Sequence, residues 1–144
     1  MKYVRAKKHL GQHFLNDTSI AFEITNLLSN KTNNVVEIGP GMGVLTQFLE
    51  KNDYITDVVE IDKESVFYLR LKYPDLKIYE GDFLQLNLKE KYSFNFSLIG
   101  NFPYNISSQI LFKVFENRDQ ITEIVGMFQK EVAERVACKK GKKR

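Results

Sequence analysis

The chain has 144 residues, 43% of them hydrophobic and 27% charged, with a formal net charge of +3. That is enough apolar material for one core and not for two. No apolar run is long enough to span a bilayer, and Gln12, Asn16, Asp17 and Glu23 interrupt any signal-peptide pattern after the basic start.

The N-terminus carries Lys2, Arg5, Lys7 and Lys8, and the C-terminus carries Lys139, Lys140, Lys142, Lys143 and Arg144. Setting these nine positive charges aside from the net +3 leaves −6 for the region between. The chain therefore divides into a basic arm over 1–16, a folded domain over 17–137 and a basic tail over 138–144. Basic ends on an acidic body suit RNA phosphates, which supply affinity but little sequence discrimination. For the tail, a solvated and mobile terminus is an equal alternative. For the arm, the position just before Gln12-His13-Phe14-Leu15 favours RNA, and Lys2, Arg5, Lys7 and Lys8 are the expected phosphate contacts. His9 and His13 stand at i, i+4, the spacing of a metal pair on a helix. Gly11 lies between them, no acid does, and Cys138 is remote, so no metal site is expected. The single cysteine also excludes an internal disulfide and points to a reducing, cytoplasmic compartment.

A helix is predicted over 17–29, with Ile20, Ile24, Leu27 and Leu28 on one face. Val35-Val36-Glu37-Ile38 is a short buried strand running into Gly39-Pro40-Gly41-Met42-Gly43, and a helix over 43–51 follows with Leu45, Phe48 and Leu49 on one face. Glycines between a strand and a helix allow a tight turn and a close approach to a ligand. The dinucleotide fingerprint asks for a glycine where Val44 stands. What is present is acidic-x-G-x-G-x-G, the form usual in enzymes that use S-adenosylmethionine, which makes Gly39 and Gly41 candidate cofactor contacts.

The next strand, 57–61, ends at Val59-Glu60-Ile61-Asp62, with Glu60 placed 21 residues after Gly39. A carboxylate there can accept from both ribose hydroxyls. Asp62 is the rival, or else the cap of a helix over 63–73. A short strand over 76–79 precedes Glu80-Gly81-Asp82-Phe83, where Asp82 can accept from an adenine amino group. On local grounds alone Asp82 reads as a turn residue beside Gly81. The order of the sites along successive strand ends favours the functional assignment.

An apolar strand over 94–99 leads to Asn101-Phe102-Pro103-Tyr104. Ligands bind at the carboxyl ends of strands in open α/β sheets, and this tetrapeptide suits the methylation of an exocyclic amine. The adenine N6 lone pair is delocalised into the ring, and two acceptors can localise it. The Asn101 side-chain carbonyl supplies one and the Phe102 backbone carbonyl the other. Pro103 fixes its own φ and biases Phe102 toward extended backbone, and Tyr104 can stack on a flipped base. Read alone, the same four residues are also a turn with a packed tyrosine. A helix over 107–116, a strand over 121–128 and a helix over 129–137 complete the pattern. Strand-helix alternation of this kind predicts an α/β fold with a mostly parallel sheet and helices on both faces.

The matching residues are Leu10-Gly11-Gln12-His13-Phe14-Leu15, Glu37 to Thr46, Val59-Glu60-Ile61-Asp62, Gly81-Asp82-Phe83, Asn101-Phe102-Pro103-Tyr104-Asn105-Ile106-Ser107 and Gln129 to Arg135. On these the chain resembles the ribosomal RNA adenine dimethyltransferases, which dimethylate two neighbouring adenosines near the 3′ end of small-subunit rRNA. The resemblance covers nearly the whole chain. It implies a Rossmann-like S-adenosylmethionine-dependent methyltransferase fold and S-adenosylmethionine as cofactor. It also implies small-subunit rRNA within a pre-ribosomal particle as partner, and a monomer that needs no metal and no membrane. His13, Leu15, Gly39, Glu60, Asp82 and Asn101 match family positions that contact the cofactor. The family commonly has Asn where His13 stands, and often Leu where Phe102 stands; a residue acting through its backbone carbonyl should tolerate that change. The family's final β-hairpin and C-terminal helical domain have no counterpart here, so the strand over 121–128 is expected to be an open, largely apolar edge. The competing readings are a non-catalytic RNA-binding assembly factor or inactive fragment, a DNA adenine methyltransferase and, least favoured, a nucleotide-dependent oxidoreductase.

Overall fold

The computed structural model describes residues 2–6, 18–102 and 106–129. The elements in chain order are β1 (Lys2–Ala6), α1 (Thr18–Thr25), β2 (Asn34–Ile38), α2 (Thr46–Lys51), β3 (Ile55–Glu60), α3 (Lys63–Lys72), β4 (Lys77–Glu80), a 3-10 turn (Phe83–Gln85), α4 (Leu88–Lys91), β5 (Phe96–Asn101), α5 (Ser107–Glu116) and β6 (Ile121–Gln129).

The strands form one six-stranded sheet in the order β1-β6-β5-β2-β3-β4. Every neighbouring pair is parallel. A central parallel strand is covered on both faces, which is why β2, β3 and β5 are buried along nearly their whole length rather than at alternate positions. Adjacent residues nonetheless serve opposite faces, because side chains alternate along a strand. Val36 and Leu98 join a cluster with Phe96, Phe102, Phe83 and Ile110, beneath α5 and the 3-10 turn. Val35 and Ile99 join a second cluster with Ala21, Ile24, Leu49 and Met127, beneath α1 and α2. Two thin cores on one sheet thus make a single domain, as the length allows.

Strand order reverses between β2 and β5: β2 pairs β3 on one side and β5 on the other. The helices that follow these strands, α2 and α5, pack on opposite faces of the sheet, and a switch point of this kind is where open α/β sheets take ligands at their carboxyl ends. The glycine loop and Asn101 both open into that switch point.

Four expectations need correction. Residues 2–6 are not a free arm, since Lys2–Ala6 is a strand whose backbone runs in register with Val125 to Gln129. The edge of β6 is therefore covered, and the outer strands are β1 and β4. The helix predicted over 17–29 is regular only to Thr25, because Leu27 and Leu28 donate to Ile24 and Thr25 in i→i−3 bonds that tighten its last turn. Residues 41–45 form turns, and regular helix begins at Thr46. The span between β4 and β5, to which no element was assigned, holds the 3-10 turn and α4. Each is capped from its own sequence: Asp82 Oδ1 accepts from the Leu84 N–H at 3.0 Å, and Asn87 Oδ1 accepts from the Glu90 N–H at 3.2 Å. The helix predicted over 129–137 lies, past Gln129, outside the described residues.

Candidate functional site

The glycine loop is built by backbone conformation. Gly39, Gly41 and Gly43 have φ of 64°, 56° and 87°, in the left-handed region that costs other residues about 1 kcal/mol each. The Gly39 N–H donates to the Val59 carbonyl at 2.9 Å, which ties the loop to the end of β3. The three glycines differ in what surrounds them. A Cβ on Gly43 would press on Leu69 at 3.3 Å, whereas a Cβ on Gly39 or Gly41 would meet no atom of the described residues within 4 Å. Gly43 is needed for helix packing. At Gly39 and Gly41 the described residues leave open space beside the backbone.

Glu60 ends β3 and is 6% exposed. Its Oε1 accepts from the Gly41 N–H at 2.9 Å and its Oε2 from the Asp62 N–H at 2.9 Å. Each carboxylate oxygen keeps a second lone pair, so two ribose hydroxyls can be accepted as well. Asp62 is engaged differently. Asp62 Oδ2 accepts from both the Ser65 N–H and the Ser65 hydroxyl, at 3.0 and 2.7 Å, and caps α3. Those bonds hold the Asp62 carboxyl below its ordinary value.

Asp82 spends one oxygen as a cap, as the turn reading expected. No described residue donates to its Oδ2, which leaves that atom for a ligand amino group. The turn reading of Asp82 is thus observed, and it leaves the second oxygen available. Exposed apolar side chains stand at neighbouring positions, Met42 in the glycine loop and Ile61 beside Glu60. The sequence reading passed over both, although an apolar residue in a polar loop is a signal for a planar ligand.

On the other side of the switch point, Asn101 is the last residue of β5 and is half-buried. The Phe102 N–H donates to the Met127 carbonyl at 3.3 Å, continuing the β5–β6 pairing one residue further. The Phe102 ring is 3% exposed and packs over two glycines. A Cβ on Gly126 would overlap the Phe102 ring and the Gly100 carbonyl, and a Cβ on Gly100 would lie 2.8 Å from the Ile38 carbonyl. The ring thus has a role the sequence did not assign: it keys the segment after Asn101 into a slot that only glycines leave open.

One buried acid was also passed over as a site residue. Glu37 is 1% exposed in β2 and its Oε1 accepts from the Thr46 hydroxyl at 2.6 Å. Burial, opposed by that hydrogen bond and aided by the Glu60 charge, pushes its carboxyl up to about 8. A neutral Glu37 links the strand before the glycine loop to the helix after it. An acid inside Val-Val-Glu-Ile is the sequence signal.

The register brings these residues together. Asn101, Gly39, Glu60 and Asp82 follow or end β5, β2, β3 and β4, four adjacent parallel strands. At about 4.8 Å per strand the row spans roughly 14 Å. His13, Leu15, Lys7, Lys8, Pro103 and Tyr104 lie outside the described residues. Lys2 and Arg5 belong to β1, on the far side of β6 from the crevice strands. Among the described residues, no group of three or more His, Cys, Asp or Glu side chains could hold a metal ion. No helix of the described residues is long and apolar enough to cross a membrane.

The profile of the ribosomal RNA adenine dimethylase family matches residues 3–144. The chain belongs to that family. It is 58% identical to the ribosomal RNA small subunit methyltransferase A of Cytophaga hutchinsonii over 148 aligned positions, covering 99% of this chain and 57% of that protein. Against the protein of the same name from Flavobacterium johnsoniae it is also 58% identical, covering 99% and 56%. The chain thus spans little more than half the length of these family members. Two crystal structures share its fold: a dimethyladenosine transferase from Plasmodium falciparum and the 23S rRNA methyltransferase ErmE. The first has a TM-score of 0.68 and 29% identity, over 83% of this chain and 44% of the other. The second has a TM-score of 0.67 and 28% identity, over 81% and 48%. The family's α/β methyltransferase architecture is therefore that of this chain.

Proposed function

We propose that the chain carries the cofactor site and the amine site of an S-adenosylmethionine-dependent enzyme that dimethylates two adjacent adenosines of small-subunit rRNA at N6. The observation that carries this is the single row of strand ends. Open glycine backbone, a ribose-type acid, an adenine-type acid and an amide side chain stand in the order a nucleoside joined to an amino acid requires. Family membership supports the substrate class.

Bound in the crevice, S-adenosylmethionine supplies an electrophilic methyl on a sulfonium. Glu60 holds its ribose, Asp82 Oδ2 accepts from its adenine amino group, and Gly39 and Gly41 let its amino-acid half lie against backbone. His13 and Leu15 complete that side. Asn101 then accepts one N–H of the target adenine through its side-chain carbonyl, and the Phe102 carbonyl accepts the other. Two acceptors draw the nitrogen toward tetrahedral geometry and direct its lone pair at the methyl. S-adenosylmethionine held there would supply the methyl as its C–S bond breaks and leave as the neutral thioether, while the proton displaced from the amine would pass to solvent. A second round with fresh cofactor gives dimethyladenosine. Holding the two partners in line can lower the barrier by about 7 kcal/mol or more. Pro103 stiffens the segment and Tyr104 stacks on the flipped base.

Lys2, Arg5, Lys7 and Lys8 contact phosphates of the RNA within a pre-ribosomal particle. The enzyme acts as a cytoplasmic monomer.

Incubating the chain with labelled S-adenosylmethionine and unmethylated small subunits, then analysing the rRNA by mass spectrometry, tests the reading. Two adjacent dimethyladenosines are expected. Cofactor binding with no incorporation would instead favour a non-catalytic assembly role.

A further inference from the structure

The 3-10 turn that follows Asp82 is clamped from a distance. Lys113, on α5, directs its ammonium at the open carbonyl end of that turn, donating to Phe83 O at 2.8 Å, to Leu84 O at 3.2 Å and to Leu86 O. An ammonium has three protons, and three carbonyls take all of them. The Phe83 ring lies 5.2 Å from the same nitrogen, so the cation also sits over an aromatic face. At its other end the turn is capped by Asp82 Oδ1. The loop carrying the adenine-type acid thus has one clamp at each end, and α5 supplies the second.

The lysine lies 30 residues from Phe83 in sequence and is half-buried. An ordinary surface lysine would keep its charge in water. Burial lowers this ammonium's pKa, and the Asp82 and Glu116 charges oppose that, which puts Lys113 within the electrostatic reach of Asp82. The helix that carries it starts at Ser107, shortly after Asn101 and Phe102. Lys113 therefore joins the segment that meets the target amine to the turn that meets the cofactor base.

We propose that Lys113 is a positioning residue that sets the direction of Asp82 Oδ2, so that this chain's selectivity for an adenine-bearing cofactor depends on a side chain that never touches it. This rests on the reading of Asp82 as acceptor of the adenine amino group. Without its three donors the carbonyl end of the turn is left to water, the turn loses one clamp, and Asp82 loses its fixed aim. Base selectivity falls while the ribose and amino-acid contacts, made by Glu60 and the glycine loop, stay as they were.

Calorimetric binding of S-adenosylhomocysteine and of its analogue with hydrogen in place of the adenine amino group tests this. The ratio of the two affinities reads base selectivity alone. The unaltered chain should prefer the amino-bearing ligand by about tenfold or more. Asp82→Asn should abolish the preference; if it does not, the reading of Asp82 fails, whatever Lys113 does. Lys113→Met should reduce the preference at least threefold with the affinity of the deamino ligand unchanged within about twofold. Lys113→Arg should restore most of it, and the Asp82→Asn/Lys113→Met double variant should lose no more than Asp82→Asn alone. Should Lys113→Met not fold, Lys113→Gln, which keeps a neutral donor, is read by the same ratio. With Asp82→Asn behaving as expected, an undiminished preference in the Lys113 variants, or an equal loss for both ligands, overturns the proposal.

Discussion

Glu60 Oε1 accepts a hydrogen bond from the Gly41 N–H at 2.9 Å. One residue stands at the end of β3 and the other in the loop after β2, so a single bond fixes the ribose acid and the glycine cradle relative to each other. The same carboxylate holds the Asp62 N–H through its second oxygen. Glu60 therefore shapes the crevice before any ligand is present, and preorganisation of this kind removes ordering cost from binding.

Glu60→Ala should orphan two backbone N–H groups and remove the ribose acceptor together. The expected outcome is a loss of S-adenosylhomocysteine affinity of about a hundredfold by calorimetry, with a Tm lower by a few degrees. Glu60→Gln keeps one acceptor oxygen and should lose about tenfold. Equal affinity in Glu60→Ala and the unaltered chain would remove Glu60 from the site.

The glycines should divide into two classes. Gly126→Ala drives a methyl into the Phe102 ring and the Gly100 carbonyl, so it should cost about 3 kcal/mol, on the order of 10 °C in Tm. Gly39→Ala meets no atom of the described residues and carries the strain of its positive φ, about 1 kcal/mol, while on the proposed reading it fills ligand space. It should lower Tm by only about 3 °C and abolish cofactor binding, as thermal melts and calorimetry on one pair of variants would show.

Glu37 gives the fold a pH dependence of known sign. Its carboxyl rises from 4.5 to about 8 on folding. Below pH 4.5 folded and unfolded chains both hold the proton and its contribution is fully present. As pH rises from 4.5 to 8 only the folded chain retains it, so stability falls, by an amount on the order of 5 kcal/mol, and levels off above 8. Glu37→Gln, which keeps an acceptor for the Thr46 hydroxyl, should flatten this part of the curve of Tm against pH. An unchanged slope in that variant would mean that Glu37 is ionised in the fold.

Asn101→Ala should abolish methyl transfer to rRNA while cofactor affinity falls but stays measurable. Single-turnover transfer and calorimetry separate the two effects. Unchanged turnover would take Asn101 out of the mechanism.

Local sequence carried much of this site. Val35 to Gly43 reads as strand, turn and ligand loop because the apolar run and the spaced glycines are neighbours in sequence, and the loop φ values then follow from glycine itself. Asn101 was legible for the same reason. What escaped depends on partners far along the chain. Lys2–Ala6 looks like a basic arm until β6, more than a hundred residues later, gives its backbone a partner. Lys113 looks like a surface charge until the turn at Phe83 presents three carbonyls to it. Glu60 and Asp62 are two residues apart and carry the same functional group, and only the direction of the chain leaving β3 makes one a tie to the glycine loop and the other a helix cap.

The most direct measurement is a crystal structure of the chain soaked with S-adenosylhomocysteine. The account predicts ribose hydroxyls on Glu60, the adenine amino group on Asp82 Oδ2, and the sulfur at the switch point facing Asn101. A ligand lodged elsewhere, or in the crevice with its sulfur out of reach of Asn101, would contradict it.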